Sequence, residues 1–263
     1  MSLSGGGLGH EVWILDLDGV MWLGETPIPG SAEAVGRLAA AGIRVGYCTN
    51  NSSERVGFYE EKLARLGVRE DVSGSVISSA MAAASLLHAG ERVLLCAGDG
   101  AREAVEVAGA EVVPQSFDGA IDTVLVGFHR SFDYAAMRAA VRAVLAGARL
   151  IATNDDPIYP AADGPAPGCG SILASIERGS GVGAVVAGKP HGTMADLVRG
   201  TFGPNGVFVG DSLHTDGAMA AELNWPFGLV LSGNIGADAV PAGQPTEWVA
   251  PDLAELVDRY LRQ

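Results

Sequence analysis

Basic residues are scarce in this chain: 17 Lys and Arg stand against 31 Asp and Glu in 263 residues, a formal charge of −14. Nucleic-acid affinity comes mostly from Lys and Arg neutralising phosphates, so a chain this acidic is not expected to bind DNA or RNA. No cluster of basic residues lies beside an apolar stretch, which argues against an electrostatic membrane anchor. Long apolar runs are missing too. Val93–Cys96 and Gly183–Ala187 fall far short of the roughly 18 residues that a membrane span needs, and they read as buried strands of a soluble protein with no membrane partner. Cysteine is limited to Cys48, Cys96 and Cys169, an odd number with no CxxC pair, so neither a disulfide framework nor a zinc site is expected. Reduced thiols in the cytoplasm are the simplest reading. The first ten residues, MSLSGGGLGH, have neither the charged start nor the apolar stretch of a signal peptide and are expected to form a disordered leader.

What is present is an alternation of short β-rich runs with Ala-rich helical stretches. Strands are expected at Val12–Leu15, Ile43–Cys48, Val93–Cys96, Thr123–Gly127, Leu150–Ala152, Val185–Ala187, Val207–Val209 and Phe227–Leu231. Ser31 is placed to cap a helix reaching about Ala41, and Ser53 to begin another reaching about Leu66. This alternation predicts an α/β fold, with parallel sheets and helices on both faces. Asn154–Gly170, with Pro157, Pro160, Pro165 and Pro167, reads as one long ordered loop with a functional role.

Parallel sheets carry their sites at the carboxyl ends of strands, and here those ends are chemically loaded. The first strand runs into Asp16-Leu17-Asp18-Gly19. Two carboxylates about 4 Å apart repel by roughly 4 kcal/mol at an effective dielectric near 20, so the pair calls for a cation or a shared proton. Taken alone, DxDG is equally well a turn. The second strand ends in Thr49-Asn50-Asn51-Ser52, hydroxyl and amide donors that suit a phosphate at a helix start, or simply an N-cap. Val185–Ala187 leads to Gly188-Lys189-Pro190, and Val207–Val209 to Gly210-Asp211-Ser212-Leu213-His214-Thr215-Asp216. Gly183 through Lys189 also fits GxxxxGK, but Pro190 stands where a phosphate-binding loop needs Ser or Thr, and the middle residues are strand formers.

In order and residue type these four elements resemble the motifs of the haloacid dehalogenase-like phosphohydrolases: DLDGV at Asp16–Val20, CTNNS at Cys48–Ser52, GKP at Gly188–Pro190 and GDSLHTD at Gly210–Asp216. Ala152-Thr153-Asn154-Asp155-Asp156, followed by Pro167-Gly168-Cys169-Gly170-Ser171, resembles the cap signature of the NagD-type subgroup (subfamily IIA), which includes the para-nitrophenylphosphatase-like enzymes. The resemblance covers nearly the whole chain from about Val12. It implies a Rossmann-like core formed by residues 11–80 and 185–263, interrupted by an α/β C2-type cap at 81–184, from about Met81 to Ala184. It departs from the pattern at Ser212, where Arg is usual, at His214, where an acid or Asn is usual, and at His129-Arg130, where Asp often precedes Arg.

The resemblance implies a phosphatase acting on a small soluble phosphomonoester, with Asp16 as nucleophile and Asp18 as general acid and base. A carboxylate is ionised at pH 7 and needs no base to activate it, whereas a carboxyl crowded by other carboxylates holds its proton more readily, as the acid role requires. Thr49, Asn50 and Asn51 would hold phosphoryl oxygens, and Lys189 would offset charge between nucleophile and phosphate. Mg²⁺ would be bound by Asp16, Asp211, the backbone carbonyl of Asp18, and Asp216 directly or one shell out. The charge count supports a hard divalent cation independently: four acids meet a dianionic ester, and one lysine cannot balance them. Thr153, Asn154 and Asp155 would face the substrate from the cap, which by the same resemblance would also support a homodimer. His129 and His214 read as structural, because acid and base are already supplied, and His191 reads as the start of a helix. A phosphotransferase or phosphomutase would share these motifs, and a non-catalytic binding protein would share the fold. A phospho-accepting signalling domain would be about half as long and would lack the second acid of DxD.

Overall fold

The computed structural model describes residues 11–69, 71, 74–161, 164–233 and 246–262; the expected leader lies outside the described residues. Down the chain, β1 (Val12–Leu15) is followed by a small ribbon of β2 (Trp22–Leu23) and β3 (Thr26–Pro27), then α1 (Ser31–Ala40), β4 (Arg44–Thr49), α2 (Val56–Arg65) and β5 (Val76–Ser78). Next come α3 (Ser79–Ala84), β6 (Arg92–Cys96), α4 (Asp99–Val107), β7 (Glu111–Val113), β8 (Thr123–Val126), α5 (Tyr134–Leu145) and β9 (Arg149–Ala152). The chain continues through β10 (Ile158–Ala161), β11 (Gly164–Pro167), α6 (Cys169–Ser180), β12 (Val185–Val186), α7 (Gly192–Phe202) and β13 (Val207–Gly210). A wide turn at Leu213–Gly217 precedes α8 (Ala218–Leu223), β14 (Phe227–Val230), β15 (Trp248–Ala250) and α9 (Leu253–Leu261).

The described residues pack as two compact units, drawn from Met1–Cys48, Glu60–Val76 and Val198–Gln263, and from Thr49–Tyr59 and Ile77–Leu197. The first is built on a six-stranded sheet of order β15-β14-β13-β1-β4-β5. β1 pairs in parallel with β13 on one side and with β4 on the other. The chain leaves β1 through β4 and β5, then returns to β13 and proceeds outward the opposite way. The switch point is therefore the crevice beyond the carboxyl ends of β1 and β13, where a sheet of this kind opens a binding site. All four residues of β1 are buried, as a strand with both neighbours paired and both faces covered requires. α1 buries Ser31, Ala34, Val35 and Leu38, and α9 buries Leu253, Leu256, Val257 and Tyr260, in each case the spacing that makes one apolar stripe on a helix. Tyr260 meets Trp13 edge to face at 4.8 Å. Each fully buried large side chain of this kind contributes about 1.5–3 kcal/mol, so Leu38→Ala would cost the sheet–helix packing about 2–5 kcal/mol.

The second unit holds a five-stranded sheet of order β12-β9-β8-β6-β7, again all parallel. Leu94, Val124, Leu150 and Ile176 belong to its core. Asp133 caps α5 by accepting the Ala136 N–H at 2.8 Å, and Gly181 ends α6 in the left-handed conformation.

Three local expectations are corrected. Ser31 is the first residue of α1 and not its cap; Gly30 holds the cap position, and the Ser31 hydroxyl instead donates to Val20 O at 2.8 Å. The helix expected from Ser53 starts at Val56, because Ser53 donates to the Asn51 side chain through both N and Oγ and is tied into a turn. Asn154–Gly170 is not one irregular loop: it contains the antiparallel ribbon β10–β11. A two-stranded ribbon has only edges, and proline is tolerated at edges. Among the described residues no helix is long and apolar enough to cross a membrane.

Candidate active site

In the first unit, β1 hands the chain directly to Asp16, whose N–H donates to Val209 O at 2.8 Å, and β13 hands it to Asp211. Neighbouring parallel strands thus deliver one carboxylate each to the switch point. The turn at Leu213–Gly217 adds a third: Ser212 O accepts the N–H of both Asp216 and Gly217, and Asp216 Oδ2 accepts Ser212 N–H at 3.1 Å. One oxygen from each of Asp16, Asp211 and Asp216 lies within 4.8 Å of the others. Asp211 is 5% exposed and Asp216 is fully buried. Glycine makes room for the group. Gly19 has φ 85°, and a Cβ there would stand 2.4 Å from Asp211 Oδ2. The Ser212 hydroxyl accepts Thr215 N–H at 3.3 Å, so Ser212 has a local role in shaping the turn.

Three carboxylates massed in so little solvent are an unfavourable arrangement on their own, and an all-oxygen set of this kind suits a hard divalent cation. The donor chemistry therefore fits magnesium. Asp18 Oδ1 accepts the indole N–H of Trp22 at 3.0 Å. The Lys62 ammonium lies 4.4 Å from the centroid of the Trp22 ring and donates to Gly24 O at 2.6 Å. Neither Trp22 nor Lys62 was expected from sequence; the only trace of the first is an indole four residues after Asp18.

The second unit begins at Thr49, the last residue of β4. Thr49 Oγ1 accepts Asn51 N–H at 3.1 Å, which leaves the hydroxyl hydrogen to be given elsewhere. Asn51 turns its own oxygen to Ser53, and its carbonyl accepts the Tyr59 hydroxyl at 3.0 Å. The Asn50 side chain forms a bracket: Nδ2 donates to Asp156 Oδ2 and to Lys189 O, each at 3.0 Å, and Oδ1 accepts Lys189 N–H at 2.8 Å. The Asn50 carbonyl accepts Ser79 Oγ at 2.6 Å and Asn154 Nδ2 at 2.7 Å. Lys189 itself is 2% exposed. Thr153 and Asn154, both buried, brace this turn, with Thr153 Oγ1 3.0 Å from Ser52 Oγ. Asp155 lies 3.4 Å from His191 Nε2, and His191 immediately precedes α7. Ser79 joins the group unforeseen, and Asp156 and Ser52, read from sequence only as parts of motifs, find partners distant in sequence.

Other polar groups give no sign of chemistry. Burial pushes the His129 imidazole below its ordinary value, against the pull of Asp133, and its Nδ1 faces Ser131. His214 lies within the Leu213–Gly217 turn. Cys48, Cys96 and Cys169 are all buried thiols outside any disulfide; burial pushes the Cys96 thiol up to about 12 and that of Cys169 to about 11, so neither of these two is an effective nucleophile at neutral pH. Val185 and Val186, in the middle of the GxxxxGK stretch, pair with β9 as strand β12, which a phosphate-binding loop would not do.

A family model for haloacid dehalogenase-like hydrolases matches residues 13–111, and a related HAD hydrolase-like model matches 186–256. The chain is 34% identical to a glycerol-3-phosphate phosphatase of Gallus gallus, over 95% of this chain and 88% of that protein. A solved 4-nitrophenylphosphatase from Thermotoga maritima superposes with a TM-score of 0.85 at 29% identity, covering 95% of this chain and 97% of the other. A glycerol phosphate phosphatase from Mycobacterium tuberculosis, solved in complex with magnesium, superposes with a TM-score of 0.82 at 31% identity, covering 94% and 76%.

Proposed function

Because this chain belongs to the haloacid dehalogenase-like hydrolases, we propose that it is a magnesium-dependent phosphatase that hydrolyses a small phosphomonoester through an aspartyl-phosphate. The observation that carries the reading is the buried trio of Asp16, Asp211 and Asp216, brought within 4.8 Å of one another by adjacent strand ends. Magnesium bound by these oxygens and the Asp18 carbonyl supplies positive charge against the phosphoryl oxygens.

The chain's own residues do the rest. Asp16 attacks phosphorus as the bond to the leaving oxygen breaks, and the Asp18 carboxyl gives that oxygen its proton, releasing the alcohol. Asp18, now a carboxylate, takes a proton from water as the water attacks the aspartyl-phosphate, which frees phosphate and restores Asp16. Thr49, through its uncommitted hydroxyl hydrogen, and Asn50 and Asn51, through the turn they build, hold phosphoryl oxygens. Lys189 offsets their charge, held in register by the Asn50 bracket. In this reading 11–80 and 185–263 form the catalytic core and 81–184 the cap, with Thr153, Asn154 and Asp155 on the substrate side of the cap. Relatives named for glycerol phosphate make a short polyol phosphate the leading substrate. A cytoplasmic homodimer completes the proposal, to be checked by light scattering of the purified protein.

The test is phosphate release from a panel of phosphomonoesters, with magnesium and with EDTA. The expected result is turnover of alkyl phosphates that EDTA abolishes and that Asp16→Asn lowers by several orders of magnitude without unfolding the protein. Folded wild-type protein that releases no phosphate with magnesium would overturn it.

A further inference from the structure

Trp22 and Lys62 are not needed to build the acidic trio, yet Trp22 bonds Asp18, and Lys62, paired with Glu25 at 3.3 Å, lies over the Trp22 ring. The loop after β1 closes tightly on itself: Met21 N–H donates to Leu17 O at 2.8 Å and Gly19 N–H to Trp22 O at 2.7 Å. Two hydroxyls pin it from outside, Ser31 Oγ on Val20 O at 2.8 Å and Ser232 Oγ on Gly19 O at 2.7 Å. This folding returns Trp22 to Asp18, four positions earlier, and the indole, 1% exposed, gives its single N–H to Asp18 Oδ1. An indole has one donor and no acceptor, so its position dictates which carboxyl oxygen it meets. Lys62, itself almost fully buried, sets its ammonium over the ring face, 4.4 Å from the centroid. A cation there draws on the ring's electrons and makes the N–H a better donor.

We propose that Trp22 is a positioning residue for leaving-group protonation: by engaging Asp18 Oδ1 it assigns the transferable hydrogen to Oδ2 and fixes that oxygen's direction, with Lys62 polarising the indole. The inference rests on the reading of Asp18 as general acid. The step it assists is the one in which the phosphorus–oxygen bond breaks and the Asp18 hydrogen passes to the departing alkoxide. p-Nitrophenolate departs readily without that hydrogen, whereas an alkoxide does not. A misplaced acid therefore penalises alkyl phosphates selectively, and a merely loosened fold penalises both substrates alike.

The experiment compares kcat/KM, which reports events up to leaving-group departure, for p-nitrophenyl phosphate and for the alkyl phosphate that the wild type hydrolyses best. Trp22→Phe is tested beside a protein carrying benzothienylalanine at position 22, which keeps the bicyclic shape and replaces N–H with sulfur. Should the phenylalanine variant fail to fold, the isostere decides. Asp18→Asn is the control. The expected result is a loss on the alkyl phosphate at least about tenfold larger than on p-nitrophenyl phosphate for both position-22 changes. Lys62→Met should show the same bias, more weakly. Equal losses on the two substrates, or none, with Asp18→Asn still selective, would overturn the role of Trp22 and leave the phosphatase reading standing. An Asp18→Asn protein with no such bias would remove the general acid itself, and the inference with it.

Discussion

Asp211→Asn should make the metal-free protein more stable while destroying its function. Asp16, Asp211 and Asp216 each place an oxygen within 4.8 Å of the others, and two unit charges at that distance repel by about 3.5 kcal/mol at an effective dielectric near 20. Neutralising Asp211 removes two of the three repulsions and leaves an amide able to donate to the remaining carboxylates. Counter-ions and the carboxylates' other contacts relieve part of the strain in the wild type, so the net gain is set at about 2 kcal/mol, or about 4–8 °C in Tm for a chain of this size. Magnesium reverses the order. Binding to the folded wild type alone stabilises it by about 2.7 kcal/mol at a hundred times Kd, a gain that the variant largely forfeits. Thermal melts of both proteins in EDTA and across a magnesium titration would show the curves crossing. A variant that melts below the wild type in EDTA, and rises with magnesium as steeply, would refute the reasoning.

Two further outcomes follow from contacts in the second unit. Asn50→Ala removes the bracket's bonds to the Lys189 N–H and carbonyl and to Asp156 and should lower kcat/KM about a hundredfold, about 2.7 kcal/mol in the barrier. An unchanged kcat/KM would show that Lys189 needs no such bracket. At the other end of the same unit, burial raises the Glu91 carboxyl, but His88 N–H, Arg149 and the Thr123 hydroxyl outweigh it and hold it below its ordinary value. A lowered folded value means stability that is present above the ordinary carboxyl range and lost as pH falls through the lowered one. Arg149→Gln should therefore cost about 1 kcal/mol at pH 7, modest because the arginine is nearly half exposed, and the difference from wild type should vanish toward pH 3. Denaturant melts at several pH values would check this, and a penalty that does not shrink in acid would count against it.

The chemistry of the site was legible from sequence wherever one strand end held the whole message. Asp16 and Asp18 follow a four-residue apolar run, and Asp211 and Asp216 follow another, so residue type and spacing sufficed to read acids at strand ends. The parallel α/β architecture was equally legible, because alternating buried runs and helical stripes are local patterns. The β10–β11 ribbon was not, since four prolines in sequence look the same in an irregular loop as in a two-stranded ribbon whose strands are both edges.

Tertiary structure alone decided the partners. Sequence put four acids on the page and could not say which three would meet; the order β13-β1-β4 makes Asp16 and Asp211 neighbours, and the hydrogen bonds of a wide turn bring in Asp216. Sequence named Asn50 as a phosphate ligand by its place, whereas the fold commits its side chain to Lys189 and Asp156, more than a hundred residues away. The same holds for Trp22, whose indole meets Asp18 only because the loop closes, and for Lys62, forty residues on, which lies over that ring. A residue's chemistry is a property of its side chain and travels with the sequence. Its partner is set by which backbone segments the hydrophobic core brings together, and that is a property of the whole chain.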